Sequence, residues 1–453
     1  MSDPRFQSAA QIRVIPWRGR RGLCVALLLL LAGGCGSGPS PAPERVVLIV
    51  IDTLRRDHLG AYGGSADTPH LDALAERGQV FTNAQASFHQ TSMSMGALFT
   101  GRVPSIESRD VKRTLSWNDS TWCGLARLAE DAGESMCVPH SLTTLAELFA
   151  ESGYWTIGVA SNDFLYRPAG FDAGFADWTE VGRVDEEVES AMIAVPEEDE
   201  NGRVVGRPRR IPLVSGNRVN AAVRAALERR PSDRFFLYVH YMDVHDYSFR
   251  RMRYAKAVER VDSFVGGLLA ELEGLGFEGR TSVILTSDHG ERLGDVHALE
   301  GGGLHNGNPS FQEVLDVPLI IVPPAGIFAG REEALVRSHD LMAWISELAG
   351  LAPPDFDPVL QPDELFVGEQ GYRTYRAGRF KSVMDRRSGR FYLFDLDRDP
   401  GETLDIADRH PDVIRRHLVR TSDLARELSS VNEPQRGLSP EERRRLRLLG
   451  YLE

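Results

Sequence analysis

Arg45-Val46-Val47-Leu48-Ile49-Val50-Ile51-Asp52 is the stretch on which the fold turns. Six consecutive aliphatic residues, most of them β-branched, leave no polar face, so the segment reads as a strand covered on both sides. It ends in a carboxylate, and the same grammar recurs downstream. Ser282 to Thr286 is an apolar run followed by Asp288 and His289, and Phe235 to Val239 is followed by His240, Asp243 and His245. Trp155 to Ala160 and Leu319 to Val322 are further strand candidates. Helical spacing lies between these runs, at Thr68 to Arg77, Thr91 to Phe99, Leu142 to Ser152, Val219 to Arg229 and Ala255 to Leu275. The alternation predicts an α/β fold, a large mixed, mostly parallel sheet flanked by helices. Such sheets bind ligands at the carboxyl ends of their strands, where Asp52, His240, Asp243, His245, Asp288 and His289 would gather.

From about Asp363 the pattern changes. Arg379 to Met384 and Arg390 to Leu396 read as a hairpin around Arg387-Ser388-Gly389, and helices are expected from about Asp412 to Leu428 and Pro440 to Leu449. Residues 44–362 are therefore read as the main domain and 363–453 as a small α+β subdomain. Asp185 to Arg210 is polar and reads as a surface insertion or loop.

The formal net charge of -13 argues against a nucleic-acid partner, whose phosphates need a basic surface. Residues 1–43 read as a signal and tether. Arg18, Arg20 and Arg21 precede a Leu-rich run, Leu23 to Ala32, that is short for a membrane span. Leu31-Ala32-Gly33-Gly34-Cys35 resembles a bacterial lipoprotein cleavage site with Cys35 as the lipidated residue. Plain secretion and an uncleaved anchor are the other readings. The expected location is the periplasm or a face of the outer or cell membrane, reached through that lipid anchor or signal. Cys123 and Cys137 are either a disulfide or two buried thiols.

Several spaced segments, taken together, resemble the sulfatase family of the alkaline phosphatase superfamily. They are Asp52 through Gly60, Thr68-Pro69-His70-Leu71-Asp72-Ala73-Leu74, Thr91 to Gly101, Phe99 to Pro104, His240 to His245, Asp288-His289-Gly290-Glu291 and the tail from Leu438 to Leu452. The resemblance implies an alkaline phosphatase-like sheet and a sulfatase-like catalytic domain over 44–362. It places Asp52, Asp288 and His289 as ligands of a divalent metal (Ca²⁺, Mg²⁺, Mn²⁺ or Zn²⁺), since hard carboxylates with an imidazole suit these ions. It also implies that His245 contacts the leaving oxygen, with His240 a second catalytic candidate. His305, after Gly301-Gly302-Gly303, stands near the family's loop Lys or His. His297 is a weaker candidate there, and Lys381 is a further cation that the C-terminal unit would supply.

Three departures from the family pattern are informative. Many members carry a second Asp where Thr53 stands. Counting ten residues back from Gly101, where sulfatases carry the Cys or Ser that becomes formylglycine, gives Thr91 in Thr91-Ser92-Met93-Ser94-Met95-Gly96. No Cys, Pro or Arg accompanies it, so formylglycine is not expected. Threonine serves as nucleophile in phosphodiester- and phosphonate-cleaving relatives, and a metal would activate its hydroxyl. Thr91 is then both nucleophile and metal ligand, with Ser92 and Ser94 as substitutes. Finally, Ala160-Ser161-Asn162-Asp163 replaces the Gly-Lys-Trp-His segment that grips sulfate. The expected function is an exported, metal-dependent hydrolase of anionic sulfate, phosphate or phosphonate esters. A catalytically silent binding protein of the same fold, or a phosphoryl-headgroup transferase, are the alternatives.

Overall fold

The structure, a computed structural model, describes residues 42–106, 123–125, 137–182, 192–195, 209–212, 215–277, 279–299, 310–324, 330–354, 359–369 and 371–428. Cys35, His305 and the proposed signal and tether lie outside them, apart from Ala42 and Pro43, as does the expected helix from Pro440 to Leu449.

An eight-stranded sheet forms the main body. Its order is Gly330–Glu332, Gln79–Phe81, Leu319–Val322, Thr281–Thr286, Arg45–Ile51, Phe235–Tyr241, Trp155–Ala160, Asp177–Glu180. The Leu319–Val322 strand runs against both its neighbours, and the other seven share one direction. The Arg45–Ile51 strand lies inside the sheet, between Phe235–Tyr241 and Thr281–Thr286. Its residues alternate between two cores, as a pleated strand must. Val46, Leu48 and Val50 face the helices Thr91–Thr100, Leu145–Glu151 and Leu341–Leu348, whereas Val47, Ile49 and Ile51 face Pro69–Arg77, Gly216–Arg229 and Tyr254–Gly274. All six side chains are fully buried, each worth roughly 1.5–3 kcal/mol relative to exposure. That register carries into function. In the neighbouring strand Phe236 and Tyr238 face the first core, so His240, two residues on, emerges on the side of the Thr91–Thr100 helix.

The C-terminal unit has four strands where two were expected. Glu364–Gly368, Tyr372–Ala377, Phe380–Asp385 and Phe391–Asp395 form an antiparallel meander, capped by the Pro411–Glu427 helix. Its first strand bridges to the segment after the Thr91 helix, through Ser105 and Gly368. Within the polar insertion, Met192–Val195 and Arg209–Pro212 pair as antiparallel strands, which the charged sequence did not signal. Among the described residues no helix is long and apolar enough to cross a membrane. Cys123 and Cys137 are joined as a disulfide with Cα atoms 5.1 Å apart. Cys123 Sγ also rests against the carbonyl of Ser92, on the helix that carries Thr91.

Candidate active site

Asp52 and Asp288 leave the ends of adjacent parallel strands, so their carboxylates meet above the sheet, both at most 1% exposed. Each has one oxygen held by the protein. Asp52 Oδ2 accepts from Asn162 Nδ2 (2.6 Å) and faces His240 Nε2 (3.1 Å). Asp288 Oδ1 accepts from the backbone N–H groups of Thr53 (3.1 Å) and His289 (2.9 Å). The remaining oxygens, Asp52 Oδ1 and Asp288 Oδ2, are buried with no hydrogen-bond partner. A cation between these two buried carboxylates would give both orphan oxygens a partner. Asp52, His240 and Asp288 offer ligand atoms within 4.8 Å of one another.

His289 completes the set. Its Nδ1 donates to the carbonyl of Gly290 at 2.8 Å, which leaves Nε2 as the lone pair facing the carboxylates. Asp52 Oδ1, Asp288 Oδ2 and His289 Nε2 therefore fit a hard divalent ion. His240, the third member of the group with Asp52 and Asp288, is held on both ring nitrogens. Because Asp52 is an acceptor, His240 Nε2–H donates to it, and Tyr238 donates its hydroxyl proton to His240 Nδ1 at 2.7 Å. His240 is thus buried against Asp52 and fixed in place.

Thr53 follows Asp52 in the left-handed region (φ 57°), costly for a β-branched residue. That turn aims its N–H at Asp288, while its hydroxyl donates to the carbonyl of Asp52 at 2.7 Å. Where many family members have a second carboxylate, this chain supplies a backbone donor.

Thr91 opens the Thr91–Thr100 helix. Its Oγ1 lies 3.3 Å from His289 Nε2 and 3.4 Å from Asn162 Nδ2, and the residue is buried. The helix start adds unshared N–H groups and a positive dipole end, which favour anions. Ser94 is excluded from this role, because its hydroxyl donates to the carbonyl of Asp288 at 2.6 Å and docks the helix onto the strand end.

Electrostatics follow from burial and neighbours. Burial raises the Asp52 carboxyl, but the His240 hydrogen bond and the charge of His245 outweigh it and hold the group below the usual carboxylate range. Burial lowers His245, yet its contact with Asp246 and the charges of Asp52, Asp246 and Glu291 push it up to about 9. His245 is then a cation at neutral pH. Asp243 is paired with Arg250 and Arg260. Burial pushes its carboxyl up to about 6, against the pull of Arg250 and Arg260.

Two candidates are engaged elsewhere. Lys381 is fully buried, with Nζ 2.6 Å from Glu402 and from the carbonyl of Ser310. His297 stacks on Phe311 and bonds Glu313 at 2.7 Å. Sequence reasoning passed over Asn162. The signal was available, since Asn162 is a polar residue just past the Trp155–Ala160 strand, at the same sheet edge as Asp52.

An α/β sheet whose strand ends present orphaned carboxylates to a helix-borne hydroxyl defines a protein of the alkaline phosphatase-like class. The sulfatase family profile matches residues 44–351, and this chain belongs to the sulfatase family. It is 29% identical to the N-acetylgalactosamine-6-sulfatase of Canis lupus familiaris over 371 residues, 72% of this chain and 66% of that protein. It thus spans just under two thirds of that relative's length. It is 26% identical to the arylsulfatase A of Bos taurus over 464 residues, 84% of this chain and 86% of that protein. Among solved structures, a 2-O GAG sulfatase superposes with a TM-score of 0.61 at 17% identity, covering 85% of this chain and 92% of the other. The phosphonate monoester hydrolase of Agrobacterium radiobacter superposes at 0.59 and 17% identity, covering 87% and 100%. These two likenesses concern the fold.

Proposed function

We propose that the chain is a metal-dependent hydrolase of sulfate, phosphate or phosphonate esters that uses Thr91 as its nucleophile. The observation that carries this reading is the approach of Thr91 Oγ1 to His289 Nε2 at 3.3 Å, at the mouth of two carboxylates with orphaned oxygens. The sulfatase names of the relatives put sulfate esters first among the substrates, while the missing sulfate-gripping Lys and His keep phosphate and phosphonate esters beside them.

Asp52, Asp288 and His289 would hold the divalent ion, which would lower the pKa of the Thr91 hydroxyl and offset the charge of the ester. Thr91, its proton gone to solvent, attacks sulfur or phosphorus from the helix N-terminus. The bond to the leaving oxygen breaks, that oxygen keeps the electron pair, and cationic His245 gives it a proton. Water then cleaves the threonyl ester, releasing the inorganic anion and restoring Thr91. The expected export of the chain is supported by the Cys123–Cys137 disulfide, a bond that persists in oxidising compartments.

The test is hydrolysis of aryl sulfate, phosphate monoester, phosphodiester and phosphonate substrates with several divalent metals, run beside Thr91→Ala. Metal-dependent turnover lost in the variant supports the reading, and the preferred ester identifies its branch. Equal rates in the variant remove Thr91 from the mechanism, and no turnover on any ester favours a silent binding protein.

A further inference from the structure

Asn162 has no role in the chemistry above, yet it touches both halves of the site. It is 4% exposed. Its Oδ1 accepts from the backbone N–H of Phe164 at 2.8 Å, while Nδ2 donates to Asp52 Oδ2 at 2.6 Å and to Thr91 Oγ1 at 3.4 Å. The chemistry of these partners fixes the orientation of the amide. Turned over, it would set its NH₂ against the Phe164 N–H and its carbonyl oxygen against an ionised carboxylate. The segment leading into it is pinned as well, because Ser161 Oγ donates to the carbonyl of His240 at 2.6 Å.

We propose that Asn162 is a positioning residue that ties the nucleophile to the metal-binding carboxylate, an inference that rests on the reading of Thr91 given above. One amide hydrogen, together with His240, covers Asp52 Oδ2, so that Oδ1 alone is left for the cation. The other hydrogen holds Thr91 Oγ1 from one side. In the metal-free protein the hydroxyl accepts from Asn162 and directs its own proton towards His289 Nε2; with the ion on that nitrogen and the proton gone, the amide would still hold the oxygen from one side. An uncharged donor suits this place. An ammonium group 2.6 Å from Asp52 would neutralise that carboxylate and compete with the divalent ion for it, whereas an amide orients it and leaves its charge intact.

The test pairs Asn162→Ala with the near-isosteric Asn162→Asp and reads two quantities. In titrations with Mn²⁺ and with Ca²⁺ followed by calorimetry, Asn162→Ala binds about 10-fold more weakly, as expected when a residue orienting a ligand is lost. At saturating metal, kcat on the preferred ester falls on the order of 10²-fold, with KM near that of the unaltered protein. Asn162→Asp, which sets a second carboxylate against Asp52 and removes a donor to Thr91, falls further in kcat. Metal affinity and kcat both unchanged in Asn162→Ala would overturn the proposal. So would a loss matched by a collapse of the cooperative thermal transition in both variants, since that marks a structural role. If the unaltered protein turns over no ester, the nucleophile reading fails. The metal titration then still decides the Asp52 half of the proposal, supporting it if Asn162→Ala binds more weakly and overturning it if affinity is unchanged.

Discussion

Glu402 and Asp52 are both wholly shielded from solvent, yet the chain treats them differently. Glu402 Oε1 lies 2.6 Å from Lys381 Nζ, and its other oxygen accepts the backbone N–H of Gln312 at 2.7 Å. Lys381 places its remaining hydrogens on the carbonyl of Ser310 and on Gln312 Oε1. Lys381 is the counter-ion that the sequence itself supplies to Glu402. Around Asp52 and Asp288, donors satisfy one oxygen of each carboxylate and none satisfies the other. The first arrangement docks the C-terminal unit. The second keeps a place for a cation from outside. Where buried charge is left unbalanced, the missing partner is a ligand.

The largest expected effect separates the two regions by activity. Thr91→Ala should lower kcat by on the order of 10⁴-fold or more, as removal of a nucleophile does elsewhere, while Lys381→Met leaves residual activity in whatever fraction stays folded. Steady-state kinetics on the preferred ester checks this. Next comes stability. Lys381→Met strands a buried carboxylate and should cost about 3–5 kcal/mol in denaturant unfolding, much of it recovered in the Lys381→Met/Glu402→Gln double variant. Asp288→Asn, which removes a carboxylate with an unpartnered oxygen, should leave the metal-free protein at least as stable as before. Equal destabilisation by Asp288→Asn and Lys381→Met would break the comparison.

Divalent metal should raise the melting temperature of the unaltered protein by mass action, worth about 2.7 kcal/mol at a concentration 100-fold above Kd, and should leave Asp288→Asn unmoved. Differential scanning calorimetry with and without chelator reads both. The smallest effect concerns protons. His245 titrates at about 9 in the metal-free protein, above its unfolded value of about 6.5. Its contribution to stability is therefore full below about pH 6.5 and is lost as pH rises through 9. NMR of the imidazole should give that midpoint, and added Ca²⁺ should lower it by offsetting the negative charge of Asp52.

The strand that opens the fold was plain in the sequence because six aliphatic residues in a row admit few other readings, and Trp155–Ala160 and Leu319–Val322 emerge with the bounds expected for them. Glu364–Gly368 and Tyr372–Ala377 were missed; in Tyr372-Arg373-Thr374-Tyr375-Arg376-Ala377 the two arginines stand three apart, on opposite faces of the strand, and so break the alternation. In the site, Asp52, Asp288, His289 and Thr91, singled out through the family resemblance, lie together in the structure. The contacts of His240 were not legible, because they join it to Tyr238 on its own strand and to Asp52 past the end of the next one. Asn162 was passed over for another reason. An amide carries no charge to attract notice, and its value comes from two hydrogens aimed at residues 110 and 71 positions away in sequence.

The most direct test of the central claim is to mix metal-loaded protein with the preferred ester, quench in acid within the first turnovers, and map the digested chain by mass spectrometry. The expected result is a sulfuryl or phosphoryl group on Thr91, absent from Thr91→Ala and lost as turnover completes. Steady hydrolysis with the group on another residue, or undiminished hydrolysis by Thr91→Ala, would contradict it.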